Sequence, residues 1–329
     1  MTDTAIERRK IMLRTAMGPA IAAALGDPRV IEIMVNPDGA LRLDILGEGR
    51  VDTDIYLPPA EIERIIRLVA SHVRAEVHAG APILSAELPA HAERRAGERF
   101  EAILPPVAPG PCFSIRKPAS RPYSLADYIS DRIISVEAAG LLRQAVRNRC
   151  NILVAGGTSS GKTTLANALL GEIGATEERL ILIEDTRELQ SPAADTVALR
   201  TRAGSVTMTD LVRSTLRLRP DRIIVGEVRG PEALDMLKAW NTGHPGGIAT
   251  VHANSAVSAL SRIESLVQEA VATVPRALIA EGIDLIAFLS GRGAARRLTS
   301  LTCVEGLDPQ GAYRLTELLT ATTLIGECP

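Results

Sequence analysis

The sequence predicts a chain in two parts: a small α+β domain, then a larger α/β domain built on a mostly parallel sheet. In the later part, short apolar runs without polar–apolar alternation are each followed by a helix-forming stretch. This pattern is typical of a parallel sheet covered on both faces. The 329 residues are enough for about two domains. Hydrophobic residues make up 46% and aromatic residues 2%, so we expect a core of Ile, Leu, Val and Ala.

The N-terminal part, residues 1–116, predicts the α+β domain. Ile11–Leu25 has the apolar spacing of a helix. Val30–Leu46 contains two alternating runs around Asn36-Pro37-Asp38-Gly39, a hairpin signal. Pro59–Val77 predicts an amphipathic helix with proline in its first turn. The runs "PILSAEL", "RFEAILPPV" and "CFSIRKP" then predict short strands.

A change of composition predicts the domain boundary. Around "RKPASRPYSLADYIS" the sequence becomes rich in proline, serine and charge, so we expect a linker over residues 117–136. The α/β domain then occupies residues 137–329. Its expected strands are "NILVA", "RLILIED", "RIIVGEV" and "GIATVHA", and its expected helices include "TMTDLVRSTLRL" and "PEALDMLKAW".

Composition excludes several classes of protein. A formal net charge of -2 argues against nucleic-acid binding through overall charge, so we expect no direct sequence-specific binding of nucleic acid. The four cysteines form no CxxC pair and no metal-ligand spacing, which favours reduced thiols in a cytoplasmic protein. The uncharged run Thr15–Gly26 is shorter than the about 20 residues that cross a bilayer. Any membrane association is therefore expected through partners.

The stretch "GGTSSGKTT" predicts a loop that binds nucleotide phosphates. It matches GxxxxGK[ST], with a strand before it and a helix after it. Backbone N–H groups and the helix N-terminus would hold the phosphates. Lys162 would reach the β- and γ-phosphates, and the Thr163 hydroxyl would join the magnesium shell. The predicted binding residues are Gly156, Gly157, Thr158, Ser159, Ser160, Gly161, Lys162, Thr163 and Thr164.

Hydrolysis also requires groups that place a water and neutralise charge, and two later strands provide carboxylates. Glu184 and Asp185 end one strand, and neighbouring strand residues point to opposite faces. We expect Glu184 to meet magnesium-bound waters while the other carboxylate caps the following turn. Glu227 follows Gly226 at the end of the next strand. We expect Glu227 to orient or deprotonate the attacking water and to contact magnesium through water.

Two histidines follow in "NTGHPGGIATVHANS". His252 lies at the end of a strand, where a neutral imidazole could sense the γ-phosphate or pass a signal to a neighbouring subunit. His244 lies in a glycine-rich loop, and packing or a surface role is an equally open interpretation. A zinc site is not expected, because the cysteines are far away in sequence.

The four segments "GGTSSGKTT", "IEDTREL", "RPDRIIVGEVRG" and "TGHPGGIATVHANS" resemble the Walker A, Asp box, Walker B and His box of the secretion (traffic) ATPase superfamily. Within it the chain is most similar to the conjugal-transfer (TrbB-type) ATPases of type IV secretion systems, from about Phe113 to Phe288. The resemblance implies a RecA-like ATPase domain behind a smaller N-terminal domain. It also implies a homohexameric ring at the cytoplasmic face of the inner membrane, docked on inner-membrane components.

The resemblance further implies roles for arginines. Arg116 of "FSIRKP" would approach the nucleotide phosphates from the N-terminal side. Arg200 and Arg202 of "ALRTR" and Arg229 of "GEVR" would neutralise charge, some of them from a neighbouring subunit. Arginine suits a bidentate phosphate clamp, although surface ion pairs are an equally open role for each of them.

The resulting expectation is a magnesium-dependent ATP hydrolase that drives pilus biogenesis or substrate translocation, with ATP and Mg²⁺ as cofactors. The alternatives are an assembly or retraction ATPase of a type IV pilus or type II secretion system, and a nucleotide-gated scaffold with little turnover. The sequence lacks a four-cysteine zinc insertion, which favours type IV or conjugal systems. After Gly291 no motif is recognisable.

Overall fold

The computed structural model describes residues 11–89, 97–118, 122–174, 177–202 and 204–319. The chain forms two compact units, residues 1–120 and residues 121–329. None of the helices in these described ranges is both long and apolar enough to cross a bilayer.

The first unit is an antiparallel sheet with helices packed on it. Its strands are β1 (Val30–Val35), β2 (Ala40–Ile45), β3 (Gly49–Tyr56), β4 (Ile83–Glu87), β5 (Arg99–Ile103) and β6 (Cys112–Arg116), and its helices are α1 (Pro19–Gly26) and α2 (Pro59–Val73). The strands lie in the order β3-β2-β1-β6-β5-β4. The apolar face of α2, led by Ile62, Ile65 and Ile66, is fully buried and joins the core of this unit.

Local details of the first unit differ from the prediction where the backbone changes conformation. The helix predicted over Ile11–Leu25 is interrupted: residues 11–16 are helical, and α1 begins only at Pro19. Gly18 between them has φ 84, a left-handed value that does not continue a helix. Helix α2 ends at Val73, because Arg74 takes the left-handed conformation with φ 59. The predicted hairpin turn is confirmed, since Gly39 N–H donates to the Asn36 carbonyl at 2.9 Å.

Part of the segment expected as a linker, residues 117–136, forms a helix. Helix α3 (Leu125–Ser130) begins with a capping box formed by Ser124 and Asp127. Leu125 and Tyr128 are fully buried in the core of the second unit. Apolar residues three apart give this short helix a buried face, a signal that the proline and charge content of the segment obscured.

The second unit contains an eight-stranded sheet. Its strands are β7 (Ile152–Gly156), β8 (Leu180–Glu184), β9 (Thr196–Arg200), β10 (Arg222–Val225), β11 (Ile248–His252), β12 (Leu285–Ser290), β13 (Arg297–Leu307) and β14 (Tyr313–Leu319). They lie in the order β14-β13-β12-β7-β11-β10-β8-β9. From β12 to β9 the strands are parallel, and β13 and β14 are added antiparallel.

Helices cover both faces of this sheet. They are α4 (Val136–Arg147), α5 (Lys162–Ile173), α6 (Met208–Thr215), α7 (Glu232–Asn241), α8 (Ala256–Gln268) and α9 (Arg276–Gly282). Ile152 and Val154 of β7 belong to the core formed with α4 and α5, whereas Leu153 and Ala155 face the core formed with α6 to α9. The predicted fold class, a mostly parallel sheet between helical layers behind a smaller α+β unit, is confirmed.

Candidate nucleotide-binding site

The loop between β7 and α5 is held in a tight turn by its glycines. A Cβ on Gly156 would lie 2.5 Å from Ser160 Oγ and 2.6 Å from the Leu289 carbonyl oxygen, so only glycine fits there. Gly161 caps α5 with φ 91, and no side chain caps the helix there. The N–H groups at the start of α5 are therefore directed into a concave loop, the arrangement that binds phosphate.

Lys162 begins α5 and folds back over this loop. Its side chain is buried, and its Nζ donates to the Gly157 carbonyl at 3.1 Å. The same Nζ lies 3.3 Å from His252 Nε2. His252 ends β11, beside Gly156 at the end of β7. The strand order thus brings the histidine predicted from sequence directly to the phosphate loop.

The carboxylate of Glu227 lies next to His252, which itself lies next to Lys162. Glu227 Oε1 lies 3.0 Å from His252 Nε2, while Glu227 Oε2 accepts a hydrogen bond from Arg229. Oε1 is buried, and among the described residues nothing meets it at the angles of a hydrogen bond. Lys162, His252, Glu227 and Arg229 therefore form a continuous row at the carboxyl ends of β7, β11 and β10.

His252 is expected to be neutral near pH 7. Burial lowers the pKa of His252, and the positive charge of Lys162 lowers it further, against the opposing charge of Glu227. A neutral imidazole nitrogen either donates or accepts. Nε2 therefore cannot accept from Lys162 and donate to Glu227 at the same time. Accepting from Lys162 leaves Glu227 Oε1 available to another donor.

The two neighbouring carboxylates at the end of β8 have different surroundings, as the sequence predicted, and it is Glu184 whose carboxylate accepts hydrogen bonds from the following turn. Glu184 is buried, and its Oε1 accepts the N–H groups of Glu188 at 2.8 Å and Leu189 at 2.7 Å. Burial raises the pKa of Glu184 to about 7. Asp185 instead accepts from the Thr201 hydroxyl and lies 3.8 Å from Arg229. Glu184 braces the turn, and Asp185 is the carboxylate brought to the Arg229–Glu227 pair.

The other residues singled out from the sequence are three arginines, Arg116, Arg200 and Arg202, and one histidine, His244. Arg116 ends β6 in the first unit, and its side chain is exposed. Arg200 ends the edge strand β9 and Arg202 follows it, both with exposed side chains. His244 precedes β11, at the other end of that strand from His252, and its Nδ1 lies 2.9 Å from the Pro220 carbonyl oxygen. The packing interpretation of His244 therefore agrees with its surroundings.

One neighbour of the phosphate loop has no sequence signal. Arg296 lies in the loop between β12 and β13, and its guanidinium occupies the space that a Cβ on Gly161 would need. It lies within the stretch after Gly291, in which no motif is recognisable. Only the pairing of β12 with β7 brings this segment to the site.

Comparisons with known proteins identify relatives of this chain. A family model described as "Type II/IV secretion system protein" matches residues 59–306. The conjugal transfer protein TrbB of Rhizobium radiobacter is 45% identical over 296 residues, which are 89% of this chain and 90% of that protein. The type IV secretion system protein PtlH of Bordetella pertussis is 38% identical over 264 residues, which cover 69% of this chain and 76% of PtlH.

The solved structure of the Legionella pneumophila ATPase DotB has a similar fold. It matches with a TM-score of 0.59 at 17% identity, covering 88% of this chain and 77% of the DotB chain. At this identity the likeness shows the fold alone.

Proposed function

Because this chain belongs to the type II/IV secretion system protein family, we propose that it is a magnesium-dependent ATP hydrolase that drives a conjugal-transfer or type IV secretion machine. The reaction is ATP and water to ADP and phosphate. One observation carries the proposal: the buried Glu227 Oε1 has no hydrogen-bond partner among the described residues and lies 3.0 Å from His252, which in turn contacts Lys162.

The residues of the phosphate loop fit a bound nucleotide. Residues 156–164 supply the backbone donors, and Lys162 supplies the charge that binds the β- and γ-phosphates. Mg²⁺, when bound, would withdraw charge from these phosphates. The Thr163 hydroxyl and, through water, Glu227 are the residues that would hold it, because oxygen ligands are the ones magnesium prefers. Glu184 contributes indirectly, since its Oε1 holds the turn that carries Asp185.

Glu227 acts as the general base. Its Oε1 accepts a proton from the attacking water, while Arg229 fixes the carboxylate through Oε2. Lys162 and His252 then face the end of the phosphate chain at which charge accumulates. When Lys162 turns to the phosphates, His252 Nε2 is released from it and is free to contact the γ-phosphate. A bound nucleotide therefore changes the contacts within the row formed by Lys162, His252, Glu227 and Arg229.

The machine context is proposed from the relatives. Conjugal transfer and type IV secretion are printed in the names of TrbB and PtlH. We extend to this chain a homohexameric ring on the cytoplasmic face of the inner membrane, docked on membrane components of that system. Arg116, Arg200 and Arg202 have exposed side chains, which suits arginines that complete the site of a neighbouring subunit.

The test is phosphate release with Mg-ATP, measured for the unaltered chain and for Glu227→Gln. We expect the variant to bind ATP normally and to lose about 10²- to 10⁴-fold in turnover, the contribution of a positioned general base. Glu317→Gln, the same change on the exposed face of edge strand β14, is the matched control and should keep full turnover. Binding without turnover in the unaltered chain would favour the nucleotide-gated scaffold instead. Unchanged turnover in Glu227→Gln would remove Glu227 from the mechanism.

A further inference from the structure

The loop between β12 and β13 places a guanidinium flat against the phosphate loop. An ideal Cβ on Gly161 would lie 2.7 Å from both Cζ and Nε of Arg296 and 3.0 Å from its Nη1. Three guanidinium atoms at such similar distances mean that the planar group covers the Gly161 backbone. Any side chain at position 161 would displace it.

The electrostatics of this contact are unfavourable for the protein alone. Gly161 is the N-cap of α5, where the helix dipole places about half a positive charge, and Lys162 follows directly. Arg296 adds a further positive charge at the same point. Its Nε is buried and has no hydrogen-bond partner within the described part of the chain. A buried N–H donor without an acceptor and a cation at a helix N-terminus both cost free energy. An anion bound there would offset both costs.

The strand order indicates which part of a nucleotide Arg296 would meet. In the order of neighbouring strands β12-β7-β11-β10, Glu227 follows β10 and His252 ends β11, so both lie on one side of the phosphate loop. Arg296 follows β12, on the other side. The γ-phosphate belongs with Glu227 and His252, where hydrolysis occurs. The opposite side therefore faces the nucleoside end of the phosphate chain.

We propose that Arg296 binds the α-phosphate of the nucleotide, the group that ATP and ADP share. This inference rests on the proposed function, since it assigns a ligand to the same phosphate loop. Arg296 is a binding residue that holds substrate and product alike, so it contributes to affinity and not to the chemical step.

The test compares Arg296→Ala with the unaltered full-length chain by titration calorimetry with ADP and with the ATP analogue AMP-PNP. We expect the dissociation constants for both nucleotides to rise by a similar factor of about 10 or more, the effect of losing a charge-assisted contact. At saturating ATP, kcat should stay within about 3-fold of the unaltered value, so the loss appears in KM. Arg296→Lys, which keeps the charge, should recover part of the affinity. Arg292→Ala changes an exposed arginine of the same loop and should change neither quantity.

The melting temperature distinguishes nucleotide binding by Arg296 from a purely structural role. Without nucleotide, the melting temperature of Arg296→Ala should equal or exceed that of the unaltered chain, because an unfavourable charge has been removed from the start of α5. A lower melting temperature with unchanged ADP affinity would overturn the proposal. So would a loss of kcat with unchanged affinity, or a loss of ATP affinity with ADP affinity retained. If the unaltered chain bound neither nucleotide, the proposed function itself would fail, which is a distinguishable result.

Discussion

At the scale of single residues, burial gives Glu184 and Asp185 different chemistry although they are adjacent. Glu184 lies inside the unit with two backbone N–H groups on one oxygen, whereas Asp185 is exposed and faces Arg229. Burial removes water from around the carboxylate of Glu184 and so disfavours its ionised form. The pKa of Glu184 is therefore raised from 4.5 to about 7. Its proton is held in the folded state at pH values where the unfolded chain has released it.

This shift predicts a pH-dependent effect of Glu184→Gln on stability. Between about pH 4.5 and 7 the folded chain binds more protons than the unfolded chain, so ionisation of Glu184 lowers stability as pH rises through this window. The amide can still accept both N–H groups and does not ionise. We therefore expect the variant to gain stability relative to the unaltered chain between pH 5 and pH 8, on the order of 2 kcal/mol.

The measurement is urea unfolding of both proteins at the two pH values. Glu317→Gln, which alters an exposed carboxylate, should show no such difference. An equal stability change for Glu184→Gln at pH 5 and pH 8 would mean that Glu184 titrates normally in the folded chain.

The sequence was informative about residues wherever the chemistry is encoded in a few adjacent positions. Lys162 and Glu227 follow from short motifs, and the structure brings both to one row with His252. The burial of Glu184 and the exposure of Asp185 were not predictable, because alternation along a strand says that the two side chains diverge but not which one is covered. Arg296 could not be found, since its contact with Gly161 depends on the pairing of distant strands.

At the scale of elements, apolar periodicity predicted the strands and most helices, and single backbone conformations set their ends. The break at Gly18 and the end of α2 at Arg74 both depend on left-handed residues. A positive φ angle depends on local strain and on the surrounding structure, and neither can be read from the composition of the sequence. Helix α3 was not predicted, because a single buried turn gives too weak an apolar pattern within a segment rich in proline.

Helix α7 and strand β11 offer a test of packing between elements. The indole of Trp240 donates to the Ile223 carbonyl at 3.0 Å, and a Cβ on Gly247 would overlap the same ring. Gly247→Ala should therefore force the helix away from the sheet and destabilise the second unit by about 1–3 kcal/mol, the usual cost of overpacking.

Gly140→Ala is the control for this substitution. Gly140 lies within α4, and a Cβ there would meet nothing within 4 Å. The same change should stabilise the chain by about 0.5–1 kcal/mol, because alanine has the higher helix propensity. Thermal unfolding followed by circular dichroism distinguishes the two outcomes, and equal signs for the two variants would contradict this account of the α7–β11 contact.

At the scale of the whole molecule, the proposed ring predicts that turnover depends on assembly. If arginines of one chain complete the site of the next, ATP turnover per subunit should rise steeply with protein concentration and then reach a plateau. The measurement is phosphate release over a wide concentration range, with particle mass measured in parallel. A substantial rate that is flat over the whole range would mean that each chain hydrolyses ATP unaided.

The position of Trp240 has an optical consequence. It is the single tryptophan of the 329 residues, and it lies where β11 begins, whereas His252 ends that strand. Five residues of strand span roughly 16 Å, so the indole is about one strand length from the phosphate loop. Its emission therefore follows the integrity of the sheet with little direct influence from a ligand at the loop. The chain carries a built-in fluorophore that reports unfolding separately from nucleotide occupancy.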